Sequence, residues 1–189
     1  VNSDSIEWIL SGSIGSGKTF AAIQLLLYKI HTILCLKDPC KYYEAQSIVF
    51  GFFSIHLNLV HSVEYNMFKN FLTNSPYWRK IARLDIEEGN SQKVKKAIFN
   101  FPKNVQFAFG SRAVHSLGQD MVAGLMDEVA FSTSVEAKQI IELYNSVKRR
   151  LESRYLSTTG RMPGILCVVS SANHEEDWLD RHIKESKEK

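Results

Sequence analysis

The chain has 189 residues, of which 44% are hydrophobic and 23% charged, a balance suited to one soluble globular domain and unlike that of a disordered chain. Its net charge of +3 is too slight to argue for a nucleic-acid partner by itself. The three cysteines form no CxxC pair and the six histidines no HExxH or Cys/His cluster, which argues against a disulfide framework and a structural zinc site.

Residues 6–10 form a short apolar run ending in Ser-Gly, which predicts a buried strand. A helix is expected from about Gly17, with Phe20, Ile23, Leu26, Leu27 and Ile30 at helical spacing. Within residues 21–36, Gln24, Lys29 and His31 break the apolar run, so it does not read as a membrane span. With no signal peptide visible, a cytosolic protein with free, buried thiols is expected. Asp38-Pro39 marks a turn. Residues 47–53 read as a second core strand, and residues 56–73 as an amphipathic helix carrying Leu59, Val63, Met67, Phe68 and Phe71, stopped by `NSPYW`.

The polar connection that follows includes the basic cluster Lys93, Lys95 and Lys96, read as a solvated loop or a phosphate contact. Residues 97–111 alternate on both sides of Pro102-Lys103-Asn104, the pattern of a β-hairpin. A buried strand (`MVAGLMDE`), a long helix opened by Ser134, and a last apolar strand (`ILCVVSSAN`) complete the core. The charged tail is expected to be helical, with His174 and His182 as solvated surface. Alternating strands and helices predict an α/β domain spanning residues 1–189: a mostly parallel central sheet flanked by helices, plus an antiparallel hairpin.

Gly12, Ser13, Ile14, Gly15, Ser16, Gly17, Lys18 and Thr19 match GxxxxGK[ST], the Walker A phosphate loop, in the strand-to-helix setting that the motif requires. Glycines let backbone N–H groups turn inward onto phosphate oxygens, and the helix adds the positive end of its dipole. Lys18 is expected to reach the β- and γ-phosphates of ATP, and the Thr19 hydroxyl to bind Mg²⁺. Asp127-Glu128 closes an apolar run in the Walker B pattern, with Asp127 expected on Mg²⁺ and Glu128 as the base for the attacking water. The paired acids favour hydrolysis by an ASCE-type ATPase, and no NKxD guanine signature is present.

Ser170, Ser171, Ala172 and Asn173 end the last strand, either as a sensor of the γ-phosphate or as a Ser-rich turn. For transition-state charge, Arg112 is the candidate within the chain. Arg150, Arg154 and Arg161 are candidates for a neighbour's site or for DNA phosphates. Tyr42-Tyr43 and Tyr77-Trp78 fit base stacking or core packing.

With these motifs in order, the chain resembles the ATPase domain of viral terminase large subunits, the motors that package DNA into phage capsids. `NFLTNSPYWRKI`, `FAFGSRAVHSLGQDMVAGLMDEVAF`, `LYNSVKRRLESRY` and `GILCVVSSANHEEDWLDRHI` are similar to that family's characteristic stretches, over about residues 6–183. The resemblance implies a RecA-like fold, ATP hydrolysis through Lys18, Thr19, Asp127 and Glu128, and a coupling motif at Ser170-Ser171-Ala172. It also implies double-stranded DNA as load, a portal protein and a small terminase subunit as partners, and a homo-oligomeric ring that as an isolated domain could be monomeric. No membrane is involved; the location implied is the cytoplasm of an infected host cell and, transiently, the procapsid portal. The chain departs from the family at Leu117, where many members carry an arginine, and it ends before the C-terminal nuclease. A helicase-like remodelling ATPase and a nucleotide-dependent binding module are the alternatives.

Overall fold

The computed structural model describes residues 6–54, 64–81, 97–110, 120–129, 134–155, 163–171 and 178–187. Six strands form one sheet: β1 (Glu7–Gly12), β2 (Ile48–Ser54), β3 (Ala97–Phe101), β4 (Val105–Gly110), β5 (Met121–Asp127) and β6 (Ile165–Ser171). Their order across the sheet is β1-β6-β5-β2-β4-β3. Every pairing is parallel except β3 with β4, the expected hairpin, which places β3 on the edge. Lys103 and Asn104 at its tip adopt φ of 62° and 58°, the double left-handed geometry that matches strand twist in a tight hairpin.

Strands β2 and β5 are buried along their whole length, and β6 up to Ser170, as expected for parallel strands covered on both faces. Helix α1 (Lys18–Cys35) packs along β1, β6 and β5, burying Ile23, Leu26, Leu27 and Ile30 as their spacing predicts. Phe20 is half exposed and meets Phe71 edge-on at 4.9 Å. The helix α5 (Ser134–Arg154) packs on β5 and β6.

Two short helices sit where turns were expected. In α2 (Pro39–Tyr43), Asp38 caps the first turn by accepting from the Lys41 N–H at 3.0 Å, and Pro39 at the first position loses nothing by lacking an N–H. Helix α3 (Tyr65–Asn74) stops at Ser75, but Pro76 opens α4 (Pro76–Ile81) instead of a loop. The part of the expected helix over residues 56–63, and the Lys93, Lys95 and Lys96 cluster, lie outside the described residues. Under α3 the sheet is aromatic: Phe68 stacks on Phe107 at 4.1 Å, and Tyr65 on Phe99 at 5.0 Å.

The C-terminal helix α6 (Trp178–Lys187) corrects one expectation. His182 is not solvated surface: its ring stacks on Trp178, and its Nε2 lies 2.8 Å from Glu7 Oε1 at the start of β1. Tyr144 OH donates to the same oxygen at 2.8 Å and Lys148 Nζ to Glu7 Oε2 at 3.1 Å, so one half-buried carboxylate ties α5, α6 and β1 together. His174 lies outside the described residues. The cysteines are free, but only Cys167 is buried; Cys35 is exposed. Trp78 and Tyr43 pack into the core against Phe101 and Tyr155. Among the described residues no helix is long and apolar enough to cross a membrane.

Candidate active site

Parallel strands all point their carboxyl ends the same way, and loops leaving that edge make the crevice in which open α/β sheets hold ligands. Here β6 lies between β1 and β5, and the register sets Gly12 beside Ser171 and Asp127 beside Val169. The phosphate-loop motif, the acidic pair and the serines of the last strand therefore emerge side by side.

The loop from Gly12 to Lys18 turns twice through left-handed backbone, at Gly15 with φ of 78° and at Gly17 with φ of 79°. A Cβ at either would be strained by that geometry alone. Gly17 is also the N-cap of α1 and makes no side-chain cap, so the first amides of α1 face the loop. Its carbonyl accepts the Ala21 N–H at 2.9 Å, which starts the helix.

Lys18 folds back over this loop. Its ammonium donates to the carbonyls of Gly12 at 3.1 Å and Ser13 at 2.6 Å, and to the hydroxyls of Ser16 at 3.3 Å and Ser171 at 3.1 Å. All four acceptors are neutral, so the positive charge is held in place without being cancelled by a carboxylate in direct contact. An anion entering the loop meets that charge, the free amides and the helix dipole together.

Thr19 and Asp127, 108 positions apart, meet directly: the Thr19 hydroxyl donates to Asp127 Oδ2 at 2.8 Å. Asp127 is buried, and its Oδ1 accepts the backbone N–H of Glu128 at 2.9 Å. Burial pushes the Asp127 carboxyl above its ordinary value; these two hydrogen bonds and the Lys18 charge act against that push, while Glu128 adds to it. A hydroxyl beside a carboxylate is a hard-oxygen pair of the kind that suits Mg²⁺, which takes one or two carboxylates and completes its shell with water and phosphate. Among the described residues no three His, Cys, Asp or Glu side chains converge to cage a metal unaided. Glu128 has φ of 57°, which turns the chain sharply out of β5 and leaves its side chain half-buried at the strand end. A non-glycine residue held there is strained, and such strain collects at functional positions.

Ser170 is buried and Ser171 half-buried, the latter holding Lys18. Arg150 lies partly buried on α5. Arg112, Arg161, Ala172, Asn173 and the side chain of Arg154 lie outside the described residues.

One acid at this edge carries no motif. Glu64 precedes the first residue of α3, just after the connection from β2, and is only 5% exposed. Its Oε2 has no hydrogen-bond partner among the described residues. Burial pushes its carboxyl up to about 7, and the charges of Asp127 and Glu128 add to that push. In the sequence it sits one place from Val63 on an amphipathic stretch, where a single Glu reads as the solvated face; the only available signal was its place after the strand that pairs with β5.

A family model described as "Uncharacterized protein MJ0330, N-terminal P-loop domain" matches residues 2–189. Among solved structures, the large terminase from a thermophilic bacteriophage is similar with a TM-score of 0.60 at 15% identity, covering 98% of this chain and 39% of that one. The Thermus phage P74-26 large terminase ATPase domain is similar with a TM-score of 0.52 at 12% identity, covering 94% of this chain and 64% of that one. The present chain thus spans less than two thirds of either, and at such identity the likeness is one of fold. No curated protein matches the sequence.

Proposed function

This chain belongs to the family of the MJ0330 N-terminal P-loop domain, and we propose that it hydrolyses ATP to move double-stranded DNA, as the motor domain of a terminase-like large subunit. The observation that carries the ATPase reading is the junction of three motifs: Lys18 reaches Ser171 at 3.1 Å while the adjacent Thr19 bonds Asp127 at 2.8 Å. A phosphate chain on the loop would lie against a fixed cation, a hard-oxygen pair and a carboxylate at one strand edge.

In this reading the loop amides and Lys18 bind and orient the β- and γ-phosphates. Thr19 and Asp127 would hold Mg²⁺, which when bound neutralises charge on the phosphate oxygens. Glu128 orients the attacking water and takes its proton on a carboxylate oxygen, so that the water oxygen joins phosphorus as the bond to ADP breaks. Ser170 and Ser171, bonded in register to β1, would pass the change at Lys18 into the sheet; Ala172 and Asn173 extend that segment. Arg112 is proposed to stabilise transition-state charge from within the chain. Arg150, Arg154 and Arg161 are proposed to serve a neighbouring subunit's site or DNA phosphates.

The DNA load rests on the resemblance of the ordered motifs and the shared fold. With it come a ring of identical subunits, a portal protein, a small terminase subunit and a place in the infected cell's cytoplasm. The test is phosphate release by the purified chain, with and without duplex DNA, beside Glu128→Gln. We expect the variant to bind ATP normally and lose at least about a hundredfold in turnover, the scale of general-base catalysis. Equal rates in both proteins would remove the hydrolase reading. Absence of both DNA-stimulated turnover and salt-dependent DNA binding in the assembled complex would remove the DNA reading.

A further inference from the structure

Of the three thiols only that of Cys35 is exposed. Cys35 is the last residue of α1, and its Sγ lies 3.7 Å from Nε2 of His31, one turn earlier on the same helix face. The other ring nitrogen, Nδ1, is hydrogen-bonded to the hydroxyl of Tyr77 near the start of α4, and the two rings meet edge-on at 5.2 Å. With the Nδ1 proton donated to the phenol oxygen, the Nε2 lone pair faces the thiol. A nucleophile within reach of a base that a third group orients is the arrangement by which side-chain hydroxyls and thiols are activated.

A second element supports the same chemistry. The carboxyl end of a helix opposes negative charge on a nearby sulfur. Lys103, at the tip of the β-hairpin, donates its ammonium to the carbonyls of Leu34 at 2.7 Å and of Leu36, the residues on either side of Cys35. A cation thus stands where it offsets the helix end, which suits a reactive thiol. The other two thiols are placed differently. Cys40 donates to the carbonyls of Gln46 and Lys103, each at 3.6 Å, and burial and the Asp38 charge push it up. Cys167 is buried.

We propose that Cys35, His31 and Tyr77 form a reactive-thiol site that takes up small-molecule disulfides as a mixed disulfide. His31 Nε2 takes the thiol proton, and the Cys35 sulfur attacks one sulfur of the incoming disulfide. The new S–S bond forms as the old one breaks; the Cys35 sulfur is oxidised and the departing sulfur reduced. The departing thiolate collects the proton from His31, so the ring ends as it began. Tyr77 is a positioning residue, acting through His31. Cys40, the thiol nearest in sequence, is engaged with backbone carbonyls instead of with Cys35, so the mixed disulfide persists. The site lies at the opposite end of α1 from Lys18, about 25 Å along the helix axis, and is separate from the nucleotide site.

The test is the rate at which the folded whole chain reacts with dithiobis(nitrobenzoate), an aryl disulfide whose released thiolate is coloured. At neutral pH an unassisted thiol is only a few per cent ionised, so a base at hand is worth about tenfold or more. The wild type is expected to show one fast phase, at least about tenfold faster than its remaining thiols, and Cys35→Ser to lack it. His31→Gln and Tyr77→Phe are each expected to slow that phase about tenfold at neutral pH. At about pH 10 their rates should converge on the wild type, because a thiol ionises unaided above about 8.5. Merely loosening the helix end would not produce that convergence. A fast phase that survives in Cys35→Ser overturns the proposal, as does a wild-type rate at neutral pH in His31→Gln. Should His31→Gln fail to fold, Tyr77→Phe, which removes one exposed hydroxyl, decides: a wild-type rate at neutral pH overturns the triad.

Discussion

Lys18 illustrates how a residue is held ready for a ligand by groups that compete with it only weakly. Four neutral oxygens fix its ammonium, and each contact is worth less than a charge-assisted bond to a phosphate. Lys18→Ala is therefore expected to reduce ATP affinity by at least about tenfold, since bonds to charged groups contribute about 1.5–3 kcal/mol each. Equilibrium dialysis or calorimetry would show it, and unchanged affinity would remove the loop as the phosphate site. Thr19 carries a second, separable consequence. Its hydroxyl satisfies a buried carboxylate, so Thr19→Val leaves Asp127 Oδ2 without this donor at nearly constant volume. Denaturant unfolding without nucleotide should show a loss of about 1–3 kcal/mol, the cost of an unsatisfied buried polar group. Stability equal to the wild type would mean that water replaces the hydroxyl freely.

At the scale of elements, helix α6 is tied to the sheet partly through charge. Burial alone would raise the Glu7 carboxyl, but the hydrogen bonds from Tyr144 and His182, the His182 charge and Lys148 together hold it below its ordinary 4.5. A carboxyl held lower in the folded than in the unfolded chain adds stability above the unfolded value. That contribution is lost as pH falls through the folded value. Unfolding free energy should therefore decline from neutral pH down through the carboxylate range, and Glu7→Gln should flatten this slope while lowering stability at neutral pH. An identical slope in the variant would show that Glu7 does not tie α6 to the sheet. This cluster also marks a limit of reading by pattern. The phosphate loop, the hairpin turn and α1 were legible because their signals are local: glycines at required φ, turn residues at a tip, apolar residues at helical spacing. The partnership of Glu7 with His182 joins positions 175 apart, and nothing near either residue announces it. Helix α4 was hidden for a different reason, since Pro76 reads as a stop after α3 yet serves equally well as a helix start.

At the scale of the whole molecule, the feature that no local pattern contains is the order β1-β6-β5. Alternation in the sequence implied a parallel sheet but not which strand lies between the two nucleotide motifs. This order makes the site a property of the fold: its groups come from β1, α1, β5 and β6, and any opening of the sheet edge separates them. Nucleotide bound there should stabilise the domain as a unit. At a ligand concentration of about a hundred times Kd, linkage adds about 2.7 kcal/mol. For a domain of this length each kcal/mol is worth about 2–4 °C in melting temperature, so ATP with Mg²⁺ should raise the midpoint by about 5–10 °C. Lys18→Ala should lose the shift because the ligand no longer binds, whereas Glu128→Gln should retain it in full. A shift of equal size in Lys18→Ala would place the bound nucleotide elsewhere on the molecule. A shift missing from the wild type at saturating ATP would mean that the three strand ends do not act as one site.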